Sequence, residues 1–286
     1  SISHVLRAEE WLPSTPRHAL LYAAFGWAPP VFAHMPLILG ADRSKLSKRH
    51  GATSLLEYRD QGYLPEAMVN YLALLGWSLD DKTEFISRDE LIKNFSLERI
   101  GKAGAIFNLD KLMWMNGVYI RKLAPDDLAR RAMPFLEKKL PDTVKRPLDE
   151  SYVRRVMPLA QERARLLSEV PALVDFLFIE ELDYEAPLVQ KGMTDASTLA
   201  ALEASGKSIT SLGTFDEASM ETALRALAQE SNLTTGQLFG ALRVATTGKS
   251  AAPPLFQTMA ALGRERTLKR ISRAVEKLRE SGPKDS

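Results

Sequence analysis

The feature that most constrains the fold is an apolar period of three to four residues, which dominates the chain from about residue 53 onward. In the segment YLPEAMVNYLALLGW, Pro65 occupies a first-turn position, and Met68, Leu72 and Leu75 recur at helical spacing. A sequence with this period over most of its length predicts a mainly helical protein.

Helix start signals repeat along the same part of the chain. Ser87 with Glu90, and Thr214 with Glu217, have the spacing of capping boxes, in which each side chain satisfies a backbone donor of the other residue. The last predicted helix carries an apolar seam formed by Leu268, Ile271, Val275 and Leu278.

The N-terminal part of the chain has a different pattern. The apolar runs HVLRA at 4–8 and VFAHMPLIL at 31–39 predict short buried strands. Between them we expect a helix that Thr15 caps, Pro16 starts and Gly26 ends. The fold class expected is therefore mainly α and multi-domain, with a short α/β part at the start.

Composition excludes several kinds of function. The 38 Lys and Arg residues nearly balance 36 Asp and Glu, so affinity for a polyanion must come from local patches. The absence of cysteine excludes disulfides and thiolate zinc sites. No apolar run reaches the roughly 20 residues of a membrane span and no signal-peptide pattern occurs, so we expect a cytoplasmic protein without membrane contact.

The stretch GADRSKLSKRHG at 40–51 is the strongest local candidate for a site. Lys45 and Lys48, separated by Ser47 and a leucine, can place ammonium and hydroxyl groups around a polyphosphate. Charged runs are also common as solvated surface loops. Spacing alone leaves both interpretations open.

Five stretches together carry a resemblance to a known family. KLSKR at 45–49 resembles the KMSKS loop of class I aminoacyl-tRNA synthetases. The whole chain resembles bacterial-type glutamyl-tRNA synthetases through four further blocks, HVLRAEEWLPSTPRHALLYAAFGW at 4–27, GYLPEAMVNYLALLGWS at 62–78, FNLDKLMWMNGVYI at 107–120 and LRVATTGKSAAPPLF at 242–256.

The resemblance implies roles for residues near the start. Lys48, with Lys45 and Ser47, is expected to contact ATP phosphates during formation of glutamyl-adenylate, and ATP is expected to arrive with Mg²⁺. Arg7 in RAEEW is expected to pair with the substrate glutamate, which suits a planar, permanently charged guanidinium. A structural ion pair of Arg7 with Glu9 or Glu10 is the alternative.

Trp11 has two interpretations. It resembles a residue that lines the pocket near the nucleotide, and it equally fits a core aromatic. No zinc site is expected.

One part of the family pattern is missing. Class I synthetases need a HIGH-like signature, and none occurs around His4, His18, His34 or His50. The resemblance therefore implies a C-terminal portion of a longer synthetase that begins late in the catalytic domain. Alone, this portion is expected not to activate glutamate.

The resemblance also implies a domain order. The expected divisions are a catalytic part at 1–51, a stem-contact domain at 52–122, and two helical anticodon-binding subdomains at 123–190 and 191–286. Proline-containing polar stretches near 123 and 190 agree with two of these seams. Trp114 is expected in the core of the stem-contact domain, and the candidate phosphate contacts there are Lys102, Lys111, Arg121 and Lys122.

Arg163 and Arg243 fall where the family is expected to contact anticodon bases, with Leu255 as a packing neighbour. Arginines presented from helix ends can hydrogen-bond the edges of splayed bases. An arginine at 163 further implies an enzyme that discriminates the glutamate anticodon from the glutamine anticodon.

Arg163 has a close competitor in Arg165, and a helix-surface salt bridge to Glu162 or Glu169 is the alternative role. The last predicted helix is also rich in cations. Its apolar seam already explains it, so RNA contact there is the less favoured interpretation.

These inferences favour a glutamate–tRNA ligase that acts as a monomer on tRNA(Glu), ATP and L-glutamate. A non-catalytic tRNA-binding module derived from such an enzyme is the second hypothesis. A purely structural helical protein is the third, and it predicts no tRNA affinity.

Overall fold

The computed structural model describes residues 2–47, 49 and 54–281. The chain divides into two compact units, Ser1–Lys122 and Leu123–Ser286. Lys48 and His50 lie outside the described residues. The division into four domains stays a prediction.

Among its described residues, the first unit contains two small parallel sheets and five α-helices. Strand β1 pairs with β2, and β3 pairs with β4. The strands are β1 His4–Ala8, β2 Val31–Met35, β3 Ile38–Leu39 and β4 Ala105–Ile106. The helices are α1 Thr15–Ala24, α2 Leu55–Gln61, α3 Pro65–Leu74, α4 Arg88–Asn94 and α5 Leu109–Lys122.

The strands predicted at 4–8 and within 31–39 are confirmed, but their burial was predicted wrongly. Leu6 on β1 and Val31 on β2 are both more than half exposed. A two-stranded sheet has two faces and two edges, and the elements packed around it here do not cover them all. The apolar runs therefore predicted strands correctly without predicting what covers them.

Helix α1 begins one residue earlier than expected. Thr15 is its first residue and Ser14 precedes it, so Thr15 is not the cap. The Thr15 hydroxyl donates to the carbonyl of Trp11 at 3.1 Å. Gly26, at φ +67°, follows the end of the helix as predicted, because the left-handed region favours glycine.

The core of the first unit forms between α3 and α5. Met68 is buried there, but Leu72 of the same apolar period is 45% exposed, and Tyr71 takes the inward position instead. The buried Asn116 side chain accepts a hydrogen bond from the Leu64 backbone at 2.7 Å, which ties α5 to the start of α3. The Ser87–Glu90 capping box is confirmed at the start of α4.

The second unit is entirely helical in its regular structure among the described residues. Its longer helices are α6 Pro125–Lys139, α7 Glu150–Gln161, α8 Val170–Val174, α9 Asp195–Ser211, α10 Glu217–Glu230, α11 Thr235–Thr247, α12 Leu255–Leu262 and α13 Arg264–Ser281. The mainly helical fold class is thereby confirmed.

Two helix boundaries in this unit test the sequence signals. The Thr214–Glu217 capping box is wrong, because Asp216 caps α10 by accepting from the Ser219 backbone at 2.8 Å. Gly248 ends α11 at φ +75°, in the left-handed region that favours glycine. A Cβ at that position would collide with the carbonyl oxygen of Asp183, so close backbone approach also requires glycine there.

The predicted seam of α13 is confirmed, since Ile271, Val275 and Leu278 are buried in one core with residues of α9, α10 and α11. Within the described ranges, no helix combines the length and apolar character that crossing a bilayer requires.

Candidate functional site

Arg7 lies within β1 and is surrounded by neutral hydrogen-bond acceptors. The parallel register places it beside His34 of β2, and its Nε donates to His34 Nε2 at 3.2 Å. Its terminal nitrogens donate to His18 Nδ1 at 3.0 Å and to Thr15 Oγ1 at 2.8 Å. Thr15 and His18 are three residues apart and therefore share one face of α1.

The structural ion pair considered for Arg7 is not formed. Glu10 instead accepts from Lys45 Nζ at 2.5 Å. Within the described residues, Arg7 makes no salt bridge, so its charge is not neutralised by a carboxylate. A guanidinium with uncompensated charge attracts an anionic ligand.

Aromatic rings complete the surroundings of the guanidinium. The Arg7 Cζ lies 5.8 Å from the centre of the Trp11 ring and 5.0 Å from that of Phe32. Trp11 is 50% exposed, so it is not a core aromatic. These rings attract the cation without neutralising it.

Arg7 also lines a cavity of about 360 Å³ between β1, α1 and β2. Of the lining side chains Arg7 is the one with a permanent charge, and most of the others are apolar. The cavity is lined by Val5, Arg7, His18, Leu21, Tyr22, Phe25, Trp27 and Phe32.

The basic loop is held in a compact turn up to Ser47. The Asp42 carboxylate accepts from the Ser44 backbone at 2.9 Å, and Arg49 donates to the Ser44 hydroxyl at 2.6 Å. Ser47 is exposed, whereas Lys48 falls outside the described residues. The phosphate-binding role of this loop therefore stays a prediction.

The loop and the Arg7 cluster come together through Glu10. The Lys45–Glu10 ion pair joins the loop to the residue that precedes Trp11 in the chain. Both partners are about half exposed, so the pair is exchangeable, because exposed ion pairs contribute little.

No group of three or more His, Asp or Glu side chains with metal-binding geometry occurs in the part of the chain that the structure describes.

Arg163 and Arg165 differ in their partners. Arg163 follows α7 in an exposed turn, and its side chain has no hydrogen bond or ion pair within the described residues. Arg165 lies 3.6 Å from Glu169 in a salt bridge. The structural alternative thus applies to Arg165, which leaves Arg163 as the candidate reader of RNA.

Arg243 and Leu255 lie on successive helices, α11 and α12. The Arg243 side chain is half-buried, and its Nε is a buried atom with no hydrogen-bond partner among the described residues. Leu255 is 4% exposed within the core. This burial leaves Leu255 a packing role beneath the surface.

The cations of α13 are engaged inside the second unit. Arg270 is 2% exposed and donates to the carbonyls of Thr246, Phe176 and Ile179 at 2.6 to 2.8 Å. The carboxylate contacts of this helix are Arg266 and Lys269 with Glu180, Arg273 with Glu181, and Arg279 with Glu203. These contacts favour a structural role for the arginines and lysines of α13 over RNA contact.

The stem-contact candidates have mixed surroundings. Lys102 and Arg121 are exposed, Lys111 binds Glu84 at 2.6 Å, and Lys122 lies 4.8 Å from the ring centre of Phe85. Trp114 was predicted wrongly as a core residue: it is 45% exposed and packs on one side against Phe85. The inward positions of α5 belong to its neighbours on the other face.

Sequence reasoning missed the partners of Arg7. The two histidines and Thr15 were not assigned to a common site. The spacing of Thr15 and His18 on a predicted helix was a signal for a shared face. The strand register that brings His34 to Arg7 has no local signal in the sequence.

Comparisons with known proteins find two family matches along the chain. Residues 127–275 match the family described as anticodon binding domain, and residues 1–114 match the catalytic domain of class I tRNA synthetases (E and Q). The glutamate–tRNA ligase of Dehalococcoides mccartyi (strain CBDB1) is 56% identical over 280 residues, which are 98% of this chain and 58% of that protein. That of Roseiflexus castenholzii is 47% identical over 97% of this chain and 55% of that protein.

A solved structure is also similar. The glutamate tRNA ligase from Elizabethkingia meningosepticum CCUG26117, in complex with its amino acid, superposes with a TM-score of 0.83 at 32% identity, over 97% of this chain and 57% of that one.

These matches define the class, a class I aminoacyl-tRNA synthetase catalytic sequence followed by an anticodon-binding domain. The chain belongs to the glutamate–tRNA ligase family. It spans somewhat more than half the length of the relatives it matches. Whether it is a C-terminal portion stays a prediction, since the catalytic-domain match begins at residue 1.

Proposed function

We propose that this chain supplies a glutamate-binding arginine, an ATP-binding loop and the tRNA-binding part of a glutamate–tRNA ligase. The observation that carries the proposal is the uncompensated charge of Arg7 at the wall of a cavity, in a chain of this family. An acidic amino acid would neutralise that charge with its carboxylate.

The reaction proposed has two steps. A carboxylate oxygen of glutamate attacks the α-phosphorus of ATP, which gives glutamyl-adenylate and pyrophosphate. A terminal ribose hydroxyl of tRNA(Glu) then attacks the acyl carbon, which gives glutamyl-tRNA and AMP. Charge builds on the phosphate oxygens in the first step, so cations placed beside them lower the barrier.

In this proposal Lys45, Lys48 and Ser47 surround the phosphates, and Trp11 lies beside the nucleotide. Lys45 would exchange its Glu10 partner for a phosphate oxygen. Mg²⁺ would arrive bound to ATP. The enzyme would work as a monomer in the cytoplasm, where tRNA is charged.

For the RNA-binding half, Arg163 and Arg243 are proposed to contact anticodon bases, and Leu255 to pack beneath them. The Arg163 side chain is exposed and has no hydrogen bond or ion pair among the described residues, which supports its part of this assignment. Base-edge contacts specify sequence, whereas phosphate contacts at the stem-contact lysines would position the RNA.

The test is filter binding of this chain to tRNA(Glu) and tRNA(Gln) over a range of salt concentrations. Binding to tRNA(Glu) should weaken as salt rises, because phosphate contacts release counterions. Arg163→Gln should narrow the difference between the two tRNAs by about tenfold, the value of one good base contact. Arg165→Gln is the matched control and should leave that difference unchanged.

Unchanged selectivity in Arg163→Gln would contradict the anticodon assignment. Salt-dependent tRNA binding without any response to glutamate would favour the second hypothesis, a tRNA-binding module. No tRNA binding at low salt would contradict both. Glutamate-dependent exchange of pyrophosphate into ATP by the chain alone would overturn the expectation that it is inactive by itself.

A further inference from the structure

The hydrogen bonds of Arg7 determine where two histidine protons lie. A guanidinium has donors and no acceptor, so each partner must offer a lone pair. His18 accepts at Nδ1, and His34 accepts at Nε2. The Thr15 hydroxyl lies 3.0 Å from His34 Nε2, so its proton has two acceptors within reach, that nitrogen and the Trp11 carbonyl. In the neutral rings, the proton must therefore sit on Nδ1 of His34 and on Nε2 of His18. The two histidines are held in opposite tautomers.

Protonation of either ring would break this arrangement. It would set an N–H group against an N–H group of Arg7 and add a second positive charge at 3.0 to 3.2 Å. The neutral rings thus fix the guanidinium without cancelling its charge. Lys45 differs, since the Glu10 carboxylate neutralises it.

The donors that remain on Arg7 suit a carboxylate. Its five N–H groups include three that are given to His34, His18 and Thr15. One N–H remains on each terminal nitrogen. A carboxylate can accept two such bonds through its two oxygens.

We propose that His18 and His34, in opposite neutral tautomers, are positioning residues that hold Arg7 open to the cavity as a receptor for the substrate carboxylate. This inference rests on the proposed function. It assigns the two rings a role in ligand affinity that metal binding or core packing does not explain.

The first measurement needs no ligand. A long-range ¹H–¹⁵N spectrum of the imidazole rings, recorded on the ¹⁵N-labelled chain at pH 8, reports which ring nitrogen carries the proton. We expect the Nδ1–H form for His34 and the Nε2–H form for His18. Either ring in the other tautomer would overturn the inference, whether or not glutamate binds.

The second measurement uses conservative and disruptive variants. His34→Gln keeps an acceptor near the Nε2 position, and His18→Asn keeps one near Nδ1. His34→Leu and His18→Leu remove it. His4→Gln, at an exposed histidine whose side chain hydrogen-bonds the Ser3 hydroxyl, is the matched control.

The readout is the Arg7 Nε–H signal during titration with L-glutamate, with L-glutamine as the neutral comparison. Glutamate should shift the signal in the wild type, His4→Gln, His34→Gln and His18→Asn, and glutamine should not. The leucine variants should weaken the response about tenfold or more, since small misplacements of a binding group are costly.

The outcomes separate the two claims. A full glutamate response in both leucine variants would overturn the positioning role and leave the proposed function standing. Expected tautomers without a glutamate response in any chain would overturn the assignment of Arg7 to glutamate. Circular dichroism melts of each variant exclude loss of folding as the cause.

Discussion

Arg7 in the first unit and Arg270 in the second are both arginines that form no salt bridge with any described residue, yet their surroundings differ. Arg270 is 2% exposed and gives its donors to three backbone carbonyls. Arg7 is partly buried, binds two imidazoles and a hydroxyl, and lines a cavity. Arg270 is enclosed by the protein, whereas Arg7 faces a cavity that a ligand can enter.

The difference shows what separates a structural cation from a ligand-binding one. The three carbonyls around Arg270 belong to α11 and to the segment just after α8, so the side chain joins two parts of one unit. Burial lowers the pKa of Arg270 to about 10, with the nearby charge of Arg266 adding to the effect. The side chain therefore stays charged at neutral pH. A buried charge needs hydrogen-bond acceptors, and the three carbonyls supply them.

The largest effect that this comparison predicts is on stability at Arg270. Arg270→Met should lower the free energy of unfolding by about 3 kcal/mol or more, because three buried carbonyls lose their donor. Chemical denaturation followed by circular dichroism measures it. Arg273→Met, at an exposed ion pair with Glu181, is the control and should cost less than about 1 kcal/mol. Equal losses in the two variants would remove the structural role assigned to Arg270.

Two lysines extend the comparison to ion pairs. Lys249 is largely buried and binds both oxygens of Asp175 at 2.9 Å, so Lys249→Met should cost about 2 kcal/mol. Lys45→Met removes the half-exposed pair with Glu10 and should cost less than about 1 kcal/mol. Thermal melts of both variants test this order, and a reversed order would break it.

The smallest predicted effect is on the stability of the fold at low pH. The hydrogen bond from Arg266 holds the pKa of Glu180 below its ordinary value. A carboxyl with a lowered folded-state pKa stabilises the fold above its unfolded value, about pH 4.3, and this contribution is lost as pH falls through the folded value. Glu180 is mostly exposed, so solvent screening limits the contribution to less than about 1 kcal/mol.

Denaturation between pH 6 and 3 should therefore show a shallower loss of stability in Glu180→Gln than in the wild type. Glu265→Gln, a change on a carboxylate with no ion pair within the described residues, serves as the comparison. A steeper loss in Glu180→Gln would mean that the carboxylate is not stabilised by Arg266.

Local signals predicted much of the fold. Three helix boundaries depend only on residues a few positions apart, so the sequence alone indicates them. They are the proline at the first turn of α3, the capping box of α4 and the glycine after α11. The Thr214 cap failed because Asp216, two residues on, competes for the same backbone donors. Asp216 directly precedes the first helical residue, so its side chain caps the helix in place of Thr214.

Features that depend on the whole fold were harder to predict. Trp114 and Leu72 are apolar residues on helices whose other faces are also apolar, so periodicity could not decide which face turns inward. The Arg7 site needs the register of two strands and the position of α1 at once. The candidate residue was predicted, but the neutral acceptors that define its chemistry were not.

The central claim is that Arg7 binds a ligand and that Arg270 stabilises the fold. It is tested most directly by measuring Arg7→Met and Arg270→Met in parallel, for thermal stability and for the L-glutamate response of the imidazole signals. The account predicts that Arg7→Met loses the glutamate response and melts close to the wild type, whereas Arg270→Met melts much lower. An Arg7→Met chain that keeps its glutamate response, or that is destabilised as much as Arg270→Met, would contradict it.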